Sequence, residues 1–65
     1  MGTEMMTLDE MADAAKTAHA TLRRKIDARP DYPESWDTLE DNLNAAVYFD
    51  DETRLLDTIR KINNL

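Results

Sequence analysis

Residues Thr7 to Arg29 read TLDEMADAAKTAHATLRRKIDAR, and whether this stretch is one helix or two decides the fold. Thr7-Leu8-Asp9-Glu10 has the form of a capping box. The threonine oxygen can accept from the first orphan N–H groups, and the glutamate three residues on can reach back to the cap. Behind it Leu8, Met11, Ala15, Ala18 and Leu22 recur at spacings of three and four, with Ala12 and Ile26 widening the same apolar stripe. The stretch is rich in alanine, lysine and arginine, which lose little on entering a helix. Nothing interrupts it before Arg29, whose backbone is pushed out of the α region by Pro30. The pattern predicts a helix over about 8–29, a rod ~33 Å long.

Pro30-Asp31-Tyr32 then reads as a connector short enough to make the next helix an antiparallel neighbour. Pro33 suits a first helical position, where its missing N–H is no loss. Trp36, Leu39, Leu43, Ala46 and Val47 form a second stripe that closes at Tyr48-Phe49, predicting a helix over 33–49. Asp50 or Asp51 can cap a third, over 51–63, with Leu55, Leu56, Ile59 and Ile62 on its apolar face. Asn63-Asn64 frays its end, and Leu65 is expected to reach the core. Residues 1–6 show no period and read as a flexible lead. The only glycine is Gly2, so hairpins and sharp turns have no glycine to use. The expected fold is all-α: a helical hairpin plus a third short helix in one domain over 7–65. It is expected as a compact three-helix unit or an intertwined or packed dimer.

Composition narrows the function classes. Of 65 residues 42% are apolar, and a chain this short hides only about 60% of the surface its unfolded form exposes. A partner subunit is the natural source of further burial, so a symmetric homodimer is expected, with a different protein partner as the other option. There is no cysteine, hence no disulfide and no thiolate metal site. No apolar run approaches the ~20 residues of a membrane helix, and no signal-peptide pattern is present. A soluble protein of a reducing cytoplasm is expected, with no membrane partner. Fourteen acids against eight bases give a net charge of -6, which disfavours general binding to nucleic acid.

Much of that charge has a structural reading. The predicted helix starts are acidic (Asp9, Glu10, Asp13; Glu34, Asp37, Glu40, Asp41; Asp50, Asp51, Glu52). The ends of the first and third are basic (Arg23, Arg24, Lys25, Arg29; Arg60, Lys61). A helix macrodipole favours this distribution by ~0.3–1 kcal/mol per well-placed charge.

Three local or general likenesses carry functional expectations. The stretch Leu8 to Arg24 resembles the helix-turn-helix of MerR-type regulators and phage excisionases, with a small Ala12 facing the second helix, then Ala15, then Ala-Thr-Leu-Arg-Arg opening that helix. That resemblance implies a recognition helix presenting His19, Thr21, Arg23 and Arg24 to DNA. Lys16 stands where the turn wants glycine and Thr17 where an apolar anchor belongs, so an unbroken helix is the expectation. Pro30 to Leu39, PDYPESWDTL, is similar to the tyrosine-rich loop and Trp-Asp-x-Leu helix of barstar-type ribonuclease inhibitors, a family that implies a sheet. In size and acidity the chain resembles the small accessory proteins of temperate bacteriophage early regions, which implies a phage protein acting in the host cytoplasm.

Constellations for chemistry are thin. His19 is the sole histidine and Ser35 the sole serine. Asp50-Asp51-Glu52 lacks the spacing and glycine of a calcium loop. There is no Gly-rich phosphate loop. No enzymatic activity, cofactor or metal is expected. The expected function is protein–protein interaction or regulation through helical surfaces, the candidate residues being Met11, Leu22, Ile26, Tyr32, Trp36 and Tyr48, with Phe49 completing an aromatic patch. The alternatives are the helix-turn-helix DNA-binding protein and an acidic inhibitor or DNA mimic displaying Asp37, Glu40, Asp41, Asp50, Asp51 and Glu52.

Overall fold

The computed structural model describes residues 6–65. Three helices, α1 (Leu8–Asp27), α2 (Ser35–Tyr48) and α3 (Glu52–Asn63), each pack against the other two, and no strand occurs among the described residues. α1 and α3 run in the same direction with α2 antiparallel to both. The molecule measures 43 × 20 × 16 Å.

α1 begins as its sequence requires. Thr7 Oγ1 accepts from the Glu10 N–H at 3.1 Å, and Glu10 Oε1 accepts from the Thr7 N–H at 2.8 Å. The helix then runs unbroken through Lys16-Thr17-Ala18, a rod of ~30 Å. It stops at Asp27, two residues short of the expected end. The Arg29 N–H turns to the Ile26 carbonyl at 3.0 Å, a tightened last turn that frees Arg29 to enter the Pro30 bend. α2 starts at Ser35, so Pro33 lies ahead of the helix. Its carbonyl accepts from the Trp36 N–H at 3.0 Å, and the cap position is Glu34, which makes no side-chain cap.

The α2–α3 turn dispenses with glycine. Phe49 caps α2, and Asp50 takes a left-handed backbone with φ 55°. The Asp50 N–H reaches the Val47 carbonyl at 3.2 Å and the Asp51 N–H reaches Ala46 at 2.8 Å, the two bonds of a Schellman ending. Asp51 is at once the N-cap of α3, its carboxylate accepting from the Arg54 N–H at 3.1 Å. An aspartate tolerates the left-handed region better than most residues do, because its short polar side chain bonds locally. The sharp turn that an absence of glycine argued against is therefore made at Asp50.

Met11, Leu22, Leu43, Leu55 and Ile62 are fully buried, joined by Ala18, Ile26, Trp36, Leu39 and Ala46. Ala18 on α1 and Ala46 on α2 are the small residues of this core. Thr58 is also buried, its hydroxyl donating to the Arg54 carbonyl one turn back at 2.7 Å. Four residues of the expected apolar faces are outside it: Leu8, Ala12, Leu56 and Leu65 are exposed. On α3 the buried line is Leu55-Thr58-Ile62, and Leu56 lies about 100° around the helix from Leu55. Met6 is not part of a loose lead. Its N–H donates to Glu52 Oε1 at 3.0 Å and its side chain packs on the core. Residues 1–5 of that expected lead lie outside the described residues.

Candidate interaction surface

Of the six residues expected at an interaction surface, four are interior. Met11 and Leu22 are 0% exposed, Ile26 7% and Trp36 8%, so the ends of α1 are covered by α2 and α3 of the same chain. Tyr32 is half-buried and stacks on Trp36 with ring centroids 6.0 Å apart and planes 26° apart. The Arg29 guanidinium lies 5.7 Å from the Trp36 ring centroid. Tyr32 donates its hydroxyl to Asp37 Oδ1 at 3.1 Å. That bond, and the negative charge behind it, raise the phenol above its usual pKa. This end of α2 is a fastening for the α1–α2 connection.

Tyr48 is the exception. It is 83% exposed at the last residue of α2, with Phe49 68% exposed beside it, and the two rings meet edge to face at 4.9 Å and 89°. The expected aromatic patch is thus divided. Trp36 and Tyr48 are twelve residues apart on one helix, ~18 Å along its axis.

Beside Tyr48 runs an open groove between α1 and α2, about 460 Å³, with Ala12, Ala15, Lys16 and His19 on one wall and Asn44, Val47 and Tyr48 on the other. Two alanines leave the α1 wall shallow enough for a ring to approach the backbone. Farther along the same seam His19 Nε2 lies 2.7 Å from Glu40 Oε2, the only side-chain hydrogen bond between two helices among the described residues. A second cleft, about 510 Å³, lies between the start of α2 and the end of α3, lined by Trp36, Leu39, Lys61 and Leu65 among others. A third, about 610 Å³, is polar, and its charges are paired within α3 or with its cap: Arg54 with Asp51 at 3.5 Å, and Asp57 with Arg60 at 2.6 Å and Lys61 at 3.2 Å. Those hydrogen bonds hold the Asp57 carboxyl below the usual carboxylate range.

The residues expected to read DNA belong to the interior of one continuous helix. His19 is engaged by Glu40, the Thr21 hydroxyl donates to the Thr17 carbonyl at 3.1 Å, and Arg24 leans on Thr21 at 3.5 Å; Arg23 is exposed. No turn separates them from the first half of α1, so the helix-turn-helix resemblance is corrected: the separate recognition helix it requires is absent. The barstar-like stretch likewise has no sheet to join among the described residues. No group of three or more His, Cys, Asp or Glu side chains is placed to hold a metal ion among the described residues. Among the described residues no helix is long and apolar enough to cross a membrane.

Sequence reasoning named Tyr48 without its setting. The signal available was charge: from Pro30 to Thr53 there are eight acids and no lysine, arginine or histidine. α2 alone lacks a basic last turn and ends instead in two aromatic rings. No protein-family model matches this chain, and comparison with curated proteins and with solved structures finds no significant similarity.

Proposed function

We propose that this protein is a non-enzymatic interaction or regulatory protein that works in a cytoplasm by presenting a helical surface to another protein chain. The observation that supports this is the Tyr48–Phe49 pair, held edge to face and open to solvent at the end of α2 beside the α1–α2 groove. Exposed, rigid aromatic side chains next to a concavity are the typical anchors of protein interfaces, and they order at low entropic cost. Tyr48 and Phe49 are the most exposed large apolar side chains among the described residues, so this pair is available without unfolding anything.

The test is affinity capture from the source cell with the full chain against a Tyr48→Ser/Phe49→Ser variant whose helix content and unfolding midpoint match the parent. A protein retained by the parent and lost by the variant is expected. Equal retention by both chains would reject this end of α2 as the contact.

An acidic inhibitor is the second reading, favoured by the eight acids between Pro30 and Thr53, a stretch with no lysine, arginine or histidine of its own. It predicts a strongly basic partner whose capture weakens steeply as salt is raised.

A further inference from the structure

We infer that the partner seated on the α1–α2 face is a second copy of this chain, an assignment that rests on the protein-interaction function proposed above. Two stripes form this face. On α1, Ala12, Lys16, His19 and Arg23 follow one another at spacings of four, three and four; on α2, Asp37, Asp41, Asn44 and Tyr48 follow the same spacings. Residues so spaced stack along one side of a helix. The helices are antiparallel, so the stripes lie level in opposite order. Ala12, Lys16, Asn44 and Tyr48 share the groove, the His19–Glu40 pair marks the middle, and Arg23 is near enough to Tyr32 to act on its phenol, which in turn holds Asp37.

Such a face is complementary to itself. A two-fold axis parallel to the helices, lying in the contact plane, sets the α1 stripe of one copy on the α2 stripe of the other at the same level. Tyr48 of each copy then meets the Ala12–Ala15 wall of the other, a knob against a shallow hole. Lys16 and Arg23 meet Asp41 and Asp37. Among the described residues none of these four side chains has an ion-pair partner within its own chain. A net charge of -6 opposes self-association, but Lys16 and Arg23, two of the four Lys and Arg residues of α1, are on this side, where Asp37 and Asp41 of α2 are. The contact is isologous, so it closes at two chains. About three helical turns by two helices offer on the order of 500 Å² per copy, about 1,000 Å² in all, the lower limit for a specific interface. A dissociation constant in the micromolar range is therefore expected.

The experiment is sedimentation equilibrium of the full chain over a concentration series, with variants that leave the fold alone. The parent is expected to pass from 7.5 kDa to twice that mass. Tyr48→Ala should weaken the dimer about tenfold or more, while Leu56→Ala, on exposed α3 surface, should not move it. The decisive arm uses charge. Lys16→Glu and Asp41→Lys should each be monomeric, since each opposes like charges twice across the axis. Mixed in equal amounts they should form a heterodimer, because every opposed pair is then opposite in sign. A monomeric mass for the parent at every concentration up to about 1 mM overturns the proposal. A dimer indifferent to Tyr48→Ala, or no heterodimer on mixing, overturns it as well. A monomer that still captures a different protein through Tyr48 and Phe49 overturns the second copy and leaves the interaction function standing. A monomer that captures nothing removes both.

Discussion

The two ends of α2 carry the same kind of side chain and treat it in opposite ways. At the start, Trp36 is enclosed, with Tyr32 stacked on it and Arg29 against its ring; at the finish, Tyr48 and Phe49 touch each other and otherwise face water. Aromatic character does not distinguish the pairs. Angle around the helix does. Trp36 shares a side with Leu43, Leu39 and Ala46, and these four are the buried residues of α2. Tyr48 is two residues beyond Ala46 and about 200° around from it. The first pair holds the chain together, and the second is left for something outside it.

Substitution at the two ends should separate these roles. Trp36→Ala is expected to cost about 3–5 kcal/mol. A 65-residue chain has roughly 3–10 kcal/mol in all, so this variant should be largely unfolded by circular dichroism. Tyr48→Ala and Phe49→Ala should each stay within ~0.5 kcal/mol of the parent in urea denaturation. Comparable losses at both ends would erase the contrast. Next in size is Asp51→Ala, which removes the α3 cap one residue from the exposed pair's turn and should cost about 1 kcal/mol. Asp50→Gly acts in the opposite direction. Relief of the left-handed aspartate should stabilise the fold by roughly 0.5 kcal/mol, net of the added freedom of the unfolded chain; destabilisation would mean the Asp50 side chain contributes more than its strained backbone costs.

The smallest effect is at the enclosed end and depends on pH. The Tyr32 phenol, raised by Asp37, is favoured in its protonated form in the folded state. Its contribution is fully present below the ordinary phenol pKa and is lost as pH rises through the raised one. Tyr32→Phe should therefore lower the neutral plateau of a stability-against-pH curve slightly and flatten its alkaline limb, the two chains converging above the raised pKa.

How much of this was legible beforehand follows from which forces are local. The Thr7–Glu10 box, the Pro30 stop and the Asp51 cap each lie within four residues of their partners, so the chain order displays them directly. Periodicity also marked the buried side of each helix, down to Trp36, Leu43, Leu55 and Ile62. Periodicity says which side is apolar, however, and not how widely the neighbours cover it. Leu8 and Leu56 belonged to their stripes and still lie outside the contact area, while Thr58 was drawn in because its hydroxyl can be satisfied by its own helix. The same limit explains Met11, Leu22 and Ile26, expected to project from an overlong rod. α2 and α3, with Met6 tied to Glu52, cover these three positions. The α1–α2 face was invisible because it arises from the register between helices, which only the His19–Glu40 contact and the groove reveal.

The α2–α3 turn also bears on how fast the chain folds. Asp50 is in effect the whole loop: one residue ends the second helix by its backbone, and the next starts the third by its carboxylate. Closing so short a loop costs little chain entropy, and helices that are neighbours in sequence make contacts of low separation. A domain built this way should refold within microseconds to milliseconds, with the segment from Trp36 to Ile62 condensing first and the long N-terminal rod settling onto it afterwards.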